Sequence, residues 1–191
     1  SIQWHENANG SWTTHQISDS ELVAARGIET NDLDGDGDID ILLANHGSDT
    51  LNWYKNDGLP NPSFTPLTLD ENIHHVHDLH SADFDGDGDL DFVGAGQGHG
   101  NISYHMAETF WWQNNGGVDP QWTRRDFDTN NPLFHGTSSH LDGLTEDDGD
   151  VWGAQDAIST DLDGDGDLDI VMVSKDLDYR PGSNGIFWYE N

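Results

Sequence analysis

Aspartate is concentrated in three places. The string Asp-x-Asp-Gly-Asp-Gly-Asp-x-Asp runs from Asp32 to Asp40, from Asp83 to Asp91 and from Asp161 to Asp169. Each copy holds five carboxylates in nine residues, so 15 of the chain's 37 acids lie in these loops. Oxygen donors at this density suit a hard cation. Calcium takes about six to eight oxygens in a flexible shell, whereas magnesium demands a strict octahedron and keeps its waters. A nine-residue loop wraps one ion with side-chain oxygens at positions 1, 3, 5 and 9 and a backbone carbonyl at 7. Glycine permits the tight, partly left-handed turns between them. This assigns Asp32, Asp34, Asp36 and Asp40 as side-chain ligands, with Asp38 as a backbone ligand. Asp83, Asp85, Asp87 and Asp91 with Asp89 repeat the set, as do Asp161, Asp163, Asp165 and Asp169 with Asp167. Three calcium sites are expected. The plain alternative is a solvated acidic turn, whose carboxylates would repel one another and strain the hairpin they join.

The surrounding elements must hold those loops. An apolar segment follows each one: Ile41–Ala44, Phe92–Ala95 and Ile170–Val173. An aromatic segment ending in Asn comes next, at Leu51–Asn56, Phe110–Asn114 and Ile186–Asn191. A fourth segment follows twice, at Phe64–Leu67 and Trp122–Arg125. The loops begin 51 and then 78 residues apart, the second interval stretched by insertions. Four short strands per unit with turn residues between them read as all-β, β-propeller-type blades. The strands are lettered A to D, with the acidic loop joining A to B. No segment carries a 3.6-residue apolar period, so little helix is expected. EF-hands are excluded, because no Glu stands at position 12 and no helices flank the loops.

The expected organisation is a single repeat domain over 1–191. It divides into C and D strands of a split blade (1–20), a blade (21–70), a second blade (71–127), an insertion loop (128–152) and A, B and C strands of a last blade (153–191). Rings usually close with about four to eight blades. The chain is therefore read as a slice of a longer array or as one of several copies that complete the structure together.

Composition narrows the function classes. The 191 residues carry 37 acidic and 6 basic side chains, a formal net charge of −31 and no cysteine. With 10% aromatic residues the chain is unlike disordered acidic segments. No apolar run approaches the roughly 20 residues of a membrane-spanning helix. Disulfides and thiol chemistry are excluded, and the charge disfavours nucleic acid and anionic membranes as partners. The absence of an initiating Met and of a signal-peptide pattern reads as a mature or excised segment. The acidity also fits a salt-adapted source.

The Asp-x-Asp-Gly-Asp-Gly-Asp-x-Asp loop, the apolar strand after it and Trp53-Tyr54-Lys55-Asn56 resemble FG-GAP/VCBS-type repeats. These are the calcium-loop blades of integrin α-subunit propellers and of many secreted bacterial proteins. The resemblance covers the chain apart from insertions at about 97–107 and 128–152. It implies a calcium-bound propeller and an extracellular or cell-surface location. It leaves activity open, because such folds host adhesins, lectins, lyases and scaffolds.

Other residues carry weaker signals. His46, His74, His75, His77, His99, His105, His135 and His140 fall on or beside the B–C and D–A loop face, with Tyr104, Lys175, Tyr179 and Arg180. From these, His74, His75, His77, His99, Tyr104 and His105 form a candidate ligand face, for a polysaccharide, a transition metal or lyase chemistry. Ordinary loop histidines are the simpler reading. The stretch Asp142–Asp150 is a candidate fourth cation loop, set against a plain acidic loop. Asn9 and Asn101 begin sequons and are candidate glycosylation sites. Trp4, Trp53, Trp111, Trp112 and Trp188 are read as packing residues recurring at one strand position, while Trp12, Trp122 and Trp152 are less tied to that role.

The expected function is structural or adhesive, outside the cell and stabilised by calcium, with no catalytic residues. Incomplete terminal blades suggest self-association, head to tail, into a ring or filament. The alternatives are a lectin-like polysaccharide-binding face and a polysaccharide lyase or hydrolase.

Overall fold

The computed structural model describes residues 1–18, 24–71, 73, 76–96, 109–126, 154–174 and 185–191. Among these the chain forms thirteen strands and no helix. They make four antiparallel sheets. The first pairs β1 (Ile2–Ala8) with β2 (Ser11–Ser18). The second runs β3 (Ala25–Asn31), β4 (Asp40–Asn45), β5 (Thr50–Asn56), β6 (Phe64–Asp70). The third runs β7 (Val76–Ala82), β8 (Asp91–Gly96), β9 (Thr109–Asn114), β10 (Trp122–Asp126). The fourth holds β11 (Ala154–Thr160), β12 (Asp169–Ser174) and β13 (Gly185–Tyr189). Each sheet is a meander of sequential strands and none closes into a barrel. The all-β architecture of four-stranded, blade-like sheets expected from the sequence is the one observed.

The sheets stack in chain order, because each central strand is apolar on both faces. Successive side chains of a strand point to opposite sides. In β8, Phe92 turns toward the second sheet and Val93 and Ala95 toward the fourth. Three cores result. Ile2 packs with Ile41, Leu43 and Tyr54 between the first and second sheets. Leu42, Ala44, Leu51 and Trp53 meet Leu79, Phe92, Phe110 and Trp112 between the second and third. Val93, Ala95 and Trp111 meet Ala157, Ile170, Met172 and Tyr189 between the third and fourth. The same alternation corrects one expectation. Trp111, opposite Val93, is the register equivalent of Trp53 and Trp188, opposite Leu42 and Val171. Trp112 takes the place of Tyr54 and Tyr189 and faces the other way. Trp122 leans on Trp53 and Phe92, with ring centroids 6.3 and 4.9 Å away, and Trp12 is exposed.

The innermost strands β3, β7 and β11 carry few apolar side chains and are joined by polar ones. Ser81 donates to Glu29 at 2.8 Å and accepts from Asn31 at 3.1 Å, and His80 pairs with Ser159 at 3.0 Å. Asp78 accepts from the Ala157 N–H at 3.3 Å. Burial, and then the facing Asp156 carboxyl, push Asp78 up to about 6. All three strands carry a register irregularity at the same point, near Arg26, His77 and Gln155.

Among the described residues, none packs on the outer face of the fourth sheet. The residue at position 2 of each acidic loop measures this: Leu33 is 1% and Phe84 2% exposed, whereas Leu162 is 51% exposed. Ile158, Val173 and Ile186 are exposed on the same sheet.

Candidate metal centre

Each acidic loop joins the first strand of a sheet to its second, as β3–β4, β7–β8 and β11–β12. Its two glycines are both left-handed: φ is 68° and 98° at Gly35 and Gly37, 72° and 97° at Gly86 and Gly88, and 82° and 107° at Gly164 and Gly166. Side chains with a Cβ rarely adopt that conformation, so the glycines let the chain curl around its own carboxylates.

The curl is held by repeated contacts. The position-3 carboxylates Asp34, Asp85 and Asp163 accept the N–H of position 5 at 3.3, 3.2 and 3.1 Å. The position-5 carboxylates Asp36, Asp87 and Asp165 accept the N–H of position 7 at 3.1, 3.0 and 3.0 Å. At position 1, Asp32 and Asp83 accept from Gly37 and Gly88 at 2.9 and 3.0 Å, and Asp161 accepts from Gly164 at 2.6 Å.

Position 9 has a second task. Asp40, Asp91 and Asp169 are buried, and each uses one oxygen for the position-2 N–H and the other for a residue ending the aromatic strand. The partners are Leu33 and Asn56 (3.3 and 2.8 Å), Phe84 and Asn114 (3.1 and 2.7 Å), and Leu162 and Asn191 (2.9 and 3.1 Å). The carboxylate clamps the loop to the third strand of its sheet. Burial pushes Asp91 up to about 7, against the N–H groups of Asn114 and Phe84 that favour its charge, while Asp85 adds to the rise. Asp40 rises to about 6, again chiefly through burial.

The asparagines extend this clamp between sheets. Asn114 donates to the Leu33 carbonyl at 3.0 Å, and Asn191 donates to the Phe84 carbonyl at 2.8 Å. The first and second acidic loops are thus each gripped by the next sheet.

Three groups of carboxylate oxygens lie within 4.8 Å of one another: Asp32, Asp34, Asp36; Asp83, Asp85, Asp91; and Asp161, Asp163, Asp169. Such a spread suits oxygens sharing one hard cation. A second observation fits: Asp32 Oδ1 is buried and has no hydrogen-bond partner, a state that costs free energy unless a cation meets it. The residues therefore fit a divalent ion. The remaining expected ligands, Asp38, Asp40, Asp87, Asp89, Asp165 and Asp167, stand outside these groups. The side chains of Asp38 and Asp89 lie against Gly58 and Gly116, where any Cβ would strike them.

The sequence reading missed the residue just before each strand-ending asparagine. Lys55, Gln113 and Glu190 occupy this register, each following the residue paired with Ile41, Phe92 or Ile170. Lys55 pairs with Asp34, whose hydrogen bond, and then charge, hold the amine above its ordinary value, and stands 3.7 Å from Asp36. Gln113 donates to Asp85 at 2.5 Å while accepting from Arg125 at 2.8 Å. Alignment on the asparagines was the signal that would have found them.

Of the histidine face, His46 and His77 are described and meet edge to face with centroids 5.0 Å apart. Arg26 reaches His77 at 2.8 Å. His74, His75, His99, Tyr104, His105, His135, His140, Lys175, Tyr179 and Arg180 lie outside the described residues, as do Asn101, Trp152 and the 142–150 loop. Asn9 sits exposed in the β1–β2 turn with φ 54°.

Comparison with known families gives one match: the FG-GAP-like repeat, over residues 32–94. That span runs from the first residue of the first acidic loop, through the whole second loop, into β8. No curated protein matches the chain.

Proposed function

We propose that this chain is a calcium-stabilised array of blades with a structural or adhesive role outside the cell. The FG-GAP-like match supports a structural or adhesive repeat domain, and repeats of that kind typically occur in extracellular proteins. The observation that carries the calcium reading is the threefold recurrence of converging carboxylate oxygens, with one buried oxygen left unpartnered. Each loop would hold one ion through the position-1, position-3 and neighbouring carboxylates. The ion would supply charge neutralisation and a rigid joint between the first and second strands. Because only the folded loop offers the full set, binding stabilises the fold by mass action. Extracellular modules of this type bind calcium with Kd of roughly 10⁻⁴ to 10⁻³ M.

The same reading gives the open face of the fourth sheet to another blade of this repeat, since the equivalent faces of the second and third sheets are covered by their successors. Catalysis has no part in it.

Calorimetric titration of the chelated protein tests the proposal. Up to three calcium ions per chain should bind, with a rise in thermal midpoint that magnesium at the same concentration does not reproduce. Absence of binding at millimolar calcium would remove it.

A further inference from the structure

The three loops are nearly identical in sequence, yet the residue before the strand-ending asparagine differs in charge from sheet to sheet: cationic Lys55, neutral Gln113 and anionic Glu190. Lys55 is one of six basic residues in the chain, and its ammonium reaches into the first loop. Its partner Asp34 has a side chain with no exposure. The same ammonium donates to the Val118 carbonyl at 2.9 Å, in the turn between β9 and β10 of the next sheet. At the corresponding place Gln113 offers the second loop a neutral N–H, and the third such position is held by Glu190, an exposed residue of the opposite charge to Lys55.

We propose that Lys55 is a tethered cation, built into the first loop, which makes the three calcium sites unequal. The ammonium competes with calcium for Asp34 and Asp36 and repels an ion bound beside them. The first loop therefore fills last, and the third, which has Glu190 at the register of Lys55, fills first. When calcium is scarce, Lys55 offsets one of the first loop's five negative charges and ties the loop to the third sheet through Val118. The joint between the second and third sheets is then the least calcium-dependent in the chain. This inference rests on the calcium reading and deepens it.

The test follows the amide signals of Gly37, Gly88 and Gly166, one glycine in each loop, by NMR during a calcium titration of the full chain. In the wild type, Gly166 should respond first and Gly37 last. Lys55→Gln, which copies the second loop's residue, should move the Gly37 midpoint to calcium concentrations lower by about tenfold or more, as loss of a unit charge a few ångströms from the ion implies. Gln113→Lys should move Gly88 by about as much in the opposite direction, and carries the test if Lys55→Gln fails to fold. A wild-type Gly37 that responds with or before the others would overturn the proposal, as would an unmoved midpoint in the variants. If no glycine responds to calcium in any form, the calcium reading itself fails, and this inference with it.

Discussion

Calcium-free protein should become less stable as pH rises from 4.5 to 8, the reverse of the usual carboxylate behaviour. Asp91 and Asp40 are both buried, and burial lifts them from 3.8 to about 7 and about 6. A carboxyl whose folded value is raised binds its proton more tightly when folded. The stability it contributes is full below the unfolded value and is lost as pH climbs through the folded one. The window therefore runs from about pH 4 to about pH 7. At about 1.4 kcal/mol per unit, Asp91 accounts for about 4 kcal/mol and Asp40 for about 3 kcal/mol, upper figures for groups that keep two N–H donors each. These are large fractions of a typical domain stability of about 5–15 kcal/mol. Urea unfolding of calcium-free protein at several pH values measures the loss as a falling midpoint. Asp91→Asn is the control, because its neutral amide keeps one acceptor for Asn114 and cannot titrate, so its midpoint should fall less steeply. Saturating calcium should flatten or invert the profile, since the ion stabilises the ionised loop. A calcium-free midpoint that stays level or rises between pH 5 and 7 would refute the reasoning, as would an Asp91→Asn profile parallel to the wild type.

Two further outcomes can be checked. At Gly94, a Cβ would stand 3.2 Å from the Trp112 ring and 3.6 Å from Leu79, so Gly94→Val should cost about 1–3 kcal/mol by overpacking the interface between the second and third sheets, read by chemical unfolding. The paired change Ile158→Thr and Val173→Thr alters exposed positions on the fourth sheet; it should leave the thermal midpoint nearly unchanged but lower self-association measured by light scattering. Unaltered association in that variant would take the open face out of the proposal.

Much of the architecture is legible in residue order. The acidic strings, each followed by an apolar segment and an aromatic one ending in Asn, mark β4, β5, β8, β9, β12 and β13, because a strand buried on both faces must be apolar throughout. The glycine pairs announce left-handed turns, since few other residues adopt them cheaply. The strands β3, β7 and β11 were expected only from the acidic loop that follows each, not from their own residues: Glu29, Asp78, His80 and Ser159 look like loop residues until neighbouring strands supply their partners. Trp112 likewise reads as a copy of Trp111 until the period of two sends the rings to opposite interfaces.

By itself, the sequence determined the repeat, the all-β class and the kind of ligand that oxygen-rich loops can take. These depend on local spacing and on donor chemistry, which order along the chain preserves. The tertiary structure alone decided which carboxylates converge, which are spent clamping backbone N–H groups, and which charge each loop meets. Lys55 lies 21 residues from Asp34 and 63 from Val118, and only strand pairing and sheet stacking bring the three together.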